Sequence, residues 1–245
     1  MMNYKLELCY DGTRYNGWQK LGDTENTIQQ KLETLLSRLL EQSVEVSASG
    51  RTDAGVHARR QVCSFKAETR LSCGEILEGL RKYLPEDIGA LSLETAPERF
   101  HARYSCKSKT YIYRIWTAEE PNVFERKYLY FFRKPLDTGA MRKAAGLLCG
   151  EHDFSAFTSA KKMKKSAVRQ IYSIDIIEDG AELKLVFKGS GFLYNMVRII
   201  TGTLLEAGTG ERAPESVTEL LASGNRADAG FTAPACGLTL YDIEY

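Results

Sequence analysis

Histidine is scarce in this chain, with three residues in 245, and its six cysteines form neither a CxxC pair nor a cluster with histidine. A zinc site is therefore not expected. Scattered cysteines (Cys9, Cys63, Cys73, Cys106, Cys149 and Cys236) with no secretion signal read as reduced thiols of a cytoplasmic protein. A run of about 18 apolar residues, the length that spans a membrane, is also missing. The longest apolar stretches, near Leu193 and Ile199, are broken by Asn195 and Arg198. Residues 1–10 alternate polar and apolar side chains and carry Lys5 and Glu7, which excludes the apolar core of a signal peptide. Neither GxxxxGKS/T nor GxGxxG occurs, so a nucleotide phosphate is not the obvious ligand. No Ser-His-Asp or Cys-His pattern points to a hydrolase. Net charge is nearly absent too, at +1, and gives no overall field for nucleic acid.

What is present is an ordinary folded composition, 43% hydrophobic and 27% charged, which argues against disorder. The chain is long enough for one large core or two small ones. Its charge is unevenly spread. Residues 99–134 hold nine Lys/Arg against three Asp/Glu, and residues 161–169 hold five Lys/Arg and no acid. From Glu206 onward seven acids face only Arg212 and Arg226. A neutral protein with one basic side can bind phosphates through it, the alternative being solvated loops.

Residues 3–10 alternate like a half-buried strand. The glycine-containing stretch DGTRYNGWQKLGD reads as a loop. Thr27 with Gln30 resembles a capping box opening a helix whose apolar positions include Ile28, Leu32, Leu35, Leu36, Leu39 and Leu40. Residues 44–49 are strand-like, residues 50–58 form a turn-rich loop, and residues 61–67 are strand-like again. Ser72 with Glu75 starts a helix ending near Tyr83, closed by Pro85, and residues 88–95 give another strand. In the second half, residues 109–116 and 128–132 look like strands, and Asp137 caps a helix running to Leu148. Residues 170–178 and 183–189 form a hairpin around Asp179-Gly180. A long apolar helix covers residues 192–207, a short helix follows Pro214 as a first helical position, and residues 238–245 close as a strand. The mixture, with a clear hairpin, favours α+β with mainly antiparallel sheet over a doubly wound parallel fold. A soft boundary near residue 105 separates halves 1–105 and 106–245.

Three places could carry chemistry. The densest is the loop GRTDAGVHA, residues 50–58, in which glycines allow tight turning and Arg51, Asp53 and His57 supply charge and titratable groups. Asp53 in such a loop is either a functional carboxylate or a turn residue accepting backbone hydrogen bonds. The second is Arg198, on a helix whose Leu193, Met196, Val197 and Ile200 share one apolar face. It either finds a buried partner or snorkels to solvent. The third is Tyr111, which points to the same strand face as Tyr113. Strand tyrosines usually pack, but aromatics interleaved with Arg and Lys also stack on unpaired bases.

These pieces resemble the tRNA pseudouridine synthases of the A family. GRTDAGVHA resembles that family's catalytic loop. YDGTRYNGWQ is similar to its opening segment, FHARYSCKSKTYIYRI to its central strand entry, GSGFLYNMVRIITGTLLEAG to its buried arginine helix, and AGFTAPACGLTLYDIEY to its final loop and strand. The five blocks run in order across nearly the whole chain. Departures are Leu21, where a second Gln is usual after Trp18-Gln19-Lys20, and Gln170, where Thr is common.

The resemblance implies the pseudouridine synthase fold, two similar α/β halves around a mainly antiparallel central sheet, with the Asp53 loop in the first half and Tyr111 and Arg198 in the second. It implies an isomerase that detaches uracil from C1′ of the ribose, rotates it and rejoins it through C5, with no metal or other cofactor. Asp53 is then the nucleophile or removes a sugar proton, Arg198 pairs with Asp53, and Tyr111 stacks on the base and assists proton transfer. Arg51 fills the space left by the flipped base, and His57 shapes the loop or contacts substrate. The implied partners are tRNA and a second copy of the chain, and the implied targets are uridines 38, 39 and 40 of the tRNA anticodon stem-loop. Two rival classes are a non-catalytic RNA-binding module, which has no need of Asp53, Arg198 and Tyr111 together, and a hydrolase using Asp53.

Overall fold

The computed structural model describes residues 1–160 and 166–245. Most of the basic run at 161–169 therefore lies outside the described residues. The chain divides into two compact units, Met1–Lys107 with Thr239–Tyr245, and Ser108–Leu238. The expected boundary near residue 105 did not anticipate the return of the last strand to the first unit.

The first unit contains β1 (Met2–Tyr10), α1 (Ile28–Leu39), β2 (Ser47–Ala48), β3 (His57–Ala67), α2 (Cys73–Tyr83), β4 (Ile88–Ala96) and the greater part of β10 (Leu238–Glu244). β1 lies between β4 and β3, antiparallel to both. β10 runs parallel to β3, pairing Thr239 with His57 and Leu240 with Ala58. Alternation along β1 buries Tyr4, Leu6, Leu8 and Tyr10, while Lys5, Glu7 and Cys9 stay partly accessible. α1 buries Ile28, Leu32, Leu35 and Leu36, the spacing expected of an amphipathic helix. Thr27 caps it by accepting from the Gln30 amide at 3.2 Å. The Gln30 side chain turns instead to Thr34 Oγ1 at 3.0 Å, so only half of the expected capping box forms. At α2 the box is complete between Ser72 and Glu75.

Two expectations change here. Of residues 44–49, only Ser47 and Ala48 enter a ladder. The Val44 amide donates to Ser37 Oγ at 3.0 Å and the Val46 amide to Glu33 Oε1 at 2.9 Å, so side chains of α1 take the donors a strand would have used. His57 and Ala58 belong to β3, so the loop is residues 50–56. Pairing of Ala58 with Tyr10, and of both residues with β10, extends the strand four positions earlier than its apolar run suggested.

The second unit contains β5 (Ser108–Trp116), β6 (Tyr130–Phe131), α3 (Thr138–Leu148), β7 (Gly150–Asp153), β8 (Val168–Asp179), β9 (Glu182–Gly189), α4 (Met196–Gly208) and α5 (Ser216–Ser223). Its strands pair antiparallel in the order β5-β9-β8-β7, with β6 added parallel to β5. The hairpin between β8 and β9 turns through Gly180 and Ala181, one position later than expected. Gly180 has φ +59° and Ala181 is not left-handed, the arrangement of a type II′ turn. Asp137 caps α3 through the Ala140 amide at 3.0 Å. Strand β7 was not anticipated, and residues 128–132 yield only the two-residue β6. α4 begins at Met196, four residues later than expected, because Asn195 adopts φ +60° and interrupts the helical path. Pro214 does not start α5. It sits in a preceding turn whose carbonyl receives the Val217 amide. The fold is α+β with mainly antiparallel pairing in each unit.

Candidate active site

In the first unit the loop at 50–56 joins β2 to β3. Arg51 is exposed, Thr52 buried and Asp53 partly buried. The Val56 amide donates to the Asp53 carbonyl at 3.1 Å, making a tight turn around Ala54-Gly55. The segment after β1, read from sequence only as a loop, grips this turn. The Trp18 amide donates to the Thr52 carbonyl at 3.0 Å, and the Gly55 amide to the Tyr15 carbonyl at 3.3 Å. Two glycines make the approach possible. A Cβ on Gly12 would lie 2.0 Å from the Val56 carbonyl oxygen, and one on Gly17, whose φ is +88°, would lie 2.7 Å from that of Thr52.

Below the loop, polar groups are buried and paired. The Tyr10 hydroxyl and Thr52 Oγ1 are 2.8 Å apart. Gln61 Nε2 donates to the Gly50 carbonyl at 2.8 Å and more weakly to the Tyr10 oxygen at 3.4 Å. Burial pushes the Tyr10 phenol up to about 12, against the opposing pull of its hydrogen bonds to Thr52 and Gln61.

His57 stands at the first position of β3 and is buried. The Gly12 amide donates to its Nδ1 at 3.1 Å, while Asp11 Oδ1 lies 3.2 Å from the same nitrogen. The two contacts are alternatives. Asp11 Oδ1 already accepts from the Thr13 amide at 2.9 Å and from Thr13 Oγ1. Nδ1 accepts from Gly12 when it carries no proton and donates to Asp11 when it does. Either contact ties the Asp11-Gly12 turn to β3.

In the second unit Tyr111 and Tyr113 share the buried face of β5, as the alternation implied. Tyr111 meets Phe192 edge-on at 5.3 Å between ring centres. The Tyr113 hydroxyl donates to the Pro234 carbonyl at 2.7 Å, and burial raises its pKa well above the usual phenol value. Arg198 does not snorkel. Its Nε donates to the Ala233 carbonyl at 2.7 Å and its Nη1 to Asn195 Oδ1 at 2.9 Å, and the Ala233 amide returns a bond to the Arg198 carbonyl. Leu193 precedes α4 and so is not part of its apolar face. Met196, Val197 and Ile200 are buried as expected.

The first unit thus gathers Arg51, Asp53 and His57 at one loop, and the second holds Tyr111 and Arg198. Tyr10, Thr52 and Gln61 were not singled out from sequence, and the glycines of YDGTRYNGWQ, read there as marking a loop, are where the segment closes on the backbone at Thr52 and Val56. Of the departures from the family pattern, Leu21 is exposed and Gln170 joins Ser190 through backbone and hydroxyl contacts. Among the described residues no group of three or more His, Cys, Asp or Glu could hold a metal ion, and no helix is long and apolar enough to cross a membrane.

Comparison with known proteins identifies the family. The family described as tRNA pseudouridine synthase matches residues 9–105 and 144–245. The chain is 48% identical to tRNA pseudouridine synthase A of Bacillus sp. (strain KSM-64), over 100% of both chains. It is 43% identical to tRNA pseudouridine synthase A 2 of Bacillus anthracis and 44% identical to tRNA pseudouridine synthase A 1 of Clostridium tetani (strain Massachusetts / E88), again over 100% of both chains. Among solved structures, a chain of a Cbf5-Nop10-Gar1 complex aligns with 82% of this chain and 45% of its own length, at 12% identity and a TM-score of 0.35.

Proposed function

Because the chain belongs to the tRNA pseudouridine synthase family, isomerases that act on uridines of tRNA, we propose that it modifies uridines 38, 39 and 40 of the anticodon stem-loop and that Asp53 is the catalytic carboxylate. In this reading the C1′–N1 bond of uridine breaks, Asp53 meets the electron-poor sugar carbon or takes a neighbouring sugar proton, and a C1′–C5 bond forms. The proton on C5 is lost and N1 gains one. The observation that carries the reading is a partly buried carboxylate on a loop whose neighbours on both sides are fixed by backbone hydrogen bonds. Preorganisation of this kind suits a group that must meet one carbon atom.

The roles of Tyr111, stacking on uracil, and of Arg198, keeping Asp53 ionised, rest on the family resemblance. The burial of Tyr111 against Phe192 and the fixed guanidinium of Arg198 are compatible with them. Arg51, exposed beside Asp53, is proposed to occupy the space the flipped base leaves. His57 is proposed to shape the loop. The active form is proposed to be a cytoplasmic homodimer, so that one tRNA touches both copies.

The test is tritium release from C5-labelled uridine in an unmodified tRNA transcript, followed by mapping of the modified positions. Release with recovered pseudouridine on the 3′ side of the anticodon stem-loop is expected. Free uracil would identify a hydrolase, and modification elsewhere would overturn the site assignment. Asp53→Asn should reduce turnover to background while tRNA affinity stays within about tenfold of wild type, equivalent to roughly 1.4 kcal/mol. Near-normal turnover by a variant verified by mass spectrometry would show that Asp53 is not the catalytic carboxylate.

A further inference from the structure

We infer that Tyr10, Thr52 and Gln61 are positioning residues, a buried hydrogen-bonded chain that sets the direction from which Asp53 meets its substrate; this rests on the reading of Asp53 as the catalytic carboxylate. Gln61, fully buried on β3, spends both protons of its amide nitrogen, one on the Gly50 carbonyl and one on the Tyr10 oxygen. The Tyr10 oxygen accepts from Gln61 and is 2.8 Å from Thr52 Oγ1, where either hydroxyl can donate to the other. The chain fastens the loop at two points: its entry at Gly50 and the residue immediately before Asp53.

An apolar layer would support the loop without this arrangement. Buried polar groups add little net stability over well-packed apolar ones, but they are costly when left unmade and so favour one geometry over its neighbours. Here the geometry selected is that of Thr52. Its side chain is held from below by Tyr10 and its carbonyl from the side by the Trp18 amide at 3.0 Å. With Thr52 fixed at both ends, the Asp53 backbone has little freedom, and the Val56 amide closes the turn on the Asp53 carbonyl. A displacement of about 1 Å at a reacting group can cost about a hundredfold in rate. Loosening the chain should therefore slow the chemical step and leave tRNA binding, which is spread over many contacts, nearly unchanged.

Turnover of an unmodified tRNA transcript would be measured for Tyr10→Phe, Thr52→Val, Thr52→Ser, the Tyr10→Phe/Thr52→Val double variant and Asp53→Asn, with melting temperatures recorded for each. Tyr10→Phe and Thr52→Val should each lower kcat about tenfold or more, about 1.4 kcal/mol or more, with KM within about twofold. Thr52→Ser, which keeps the hydroxyl, should recover most of kcat. The double variant should be no slower than the worse single one, because both remove the same link. The inference is overturned if Tyr10→Phe keeps kcat within about twofold, if Thr52→Ser is as slow as Thr52→Val, or if the two losses multiply. Should Tyr10→Phe fail to fold, the Thr52 pair decides alone. An active Asp53→Asn protein would remove the catalytic assignment and this inference with it. A dead Asp53→Asn protein beside an unaffected Tyr10→Phe would remove the inference only.

Discussion

Arg60 shows how single side chains bind the first unit together. Its Nε and Nη2 donate to the two oxygens of Glu7 at 3.1 and 2.7 Å, and its Nη1 reaches Asp242 at 2.7 Å, so β1, β3 and β10 share one cation. The Arg60 guanidinium holds the Glu7 carboxyl below its usual range, more than offsetting partial burial, which acts the other way. A lowered folded-state pKa means that the pair contributes stability above the unfolded value, about 4.3 for glutamate, and loses it as pH falls through the folded one. Because Arg60 is still 37% exposed, solvent screening limits the effect. We expect Glu7→Gln to cost about 1 kcal/mol at pH 7. The gap from wild type should close as both proteins are taken through and below pH 4, as read by urea unfolding at a series of pH values. A constant gap would mean that packing rather than charge is lost. His57 teaches a different lesson at this scale. From sequence it was a titratable group in a candidate catalytic loop; in the fold its ring is buried at the head of β3, with Nδ1 within reach of both the Gly12 amide and Asp11. Residue type alone does not reveal such burial.

Elements were legible in sequence where their signals are local. The helices at 28–39, 73–83 and 138–148 were announced by their caps and apolar spacing, and the β8–β9 hairpin by Asp179-Gly180. Such signals carry measurable energy. Ser72→Ala removes one half of the α2 capping box and should lower stability by about 1 kcal/mol, detectable as a shifted urea midpoint with unchanged slope; no shift would show that α2 is held by packing alone. What was illegible depended on distant partners. Val44 and Val46 give their amides to α1 side chains, β7 exists through pairing with β8, and α4 starts late because of the backbone at Asn195. The loop carrying Asp53 was legible as a motif, but the grip on it by the segment after β1 was not, since contacts between residues so far apart in the chain, such as Tyr15 and Gly55, leave no local pattern. That grip predicts that Gly12→Ala is severe. A Cβ 2.0 Å from a carbonyl oxygen cannot be relieved by rotating a side chain. The variant should lose several kcal/mol of stability, on the scale of other overpacked or strained sites, or lose turnover as the loop shifts. Normal melting and normal turnover together would disprove the close approach.

For the molecule as a whole, a net charge of +1 conceals local basic surface. Some of it is neutralised internally, as in the pairs of Arg114 with Glu182 and Lys134 with Glu211. Arg99, Arg103, Arg126 and Lys127 are exposed. If these meet phosphates, log affinity for tRNA should fall linearly with log salt. Charge-reversing substitutions at these positions should flatten the slope, while a salt-independent affinity would exclude a phosphate-led interface. Sedimentation at micromolar concentration should show a homodimer, and a monomer would remove the shared-tRNA arrangement. The membership of β10 in the first unit bears on how the protein is made. Leu240 and Ile243 are buried, and the Tyr245 hydroxyl donates to the Ala102 carbonyl at 2.8 Å. As the chain leaves the ribosome, β3 must wait for its parallel neighbour until all of Ser108–Leu238 has emerged. The unit synthesised first is therefore the one finished last: β2 takes the far end of that edge of β3 early, while the end where β10 docks stays open throughout elongation. Nascent chains ending at residue 238 and tethered by a linker long enough to clear the ribosome should be protease-sensitive in the first unit and protected in the second, a reversal of the usual amino-terminal-first order.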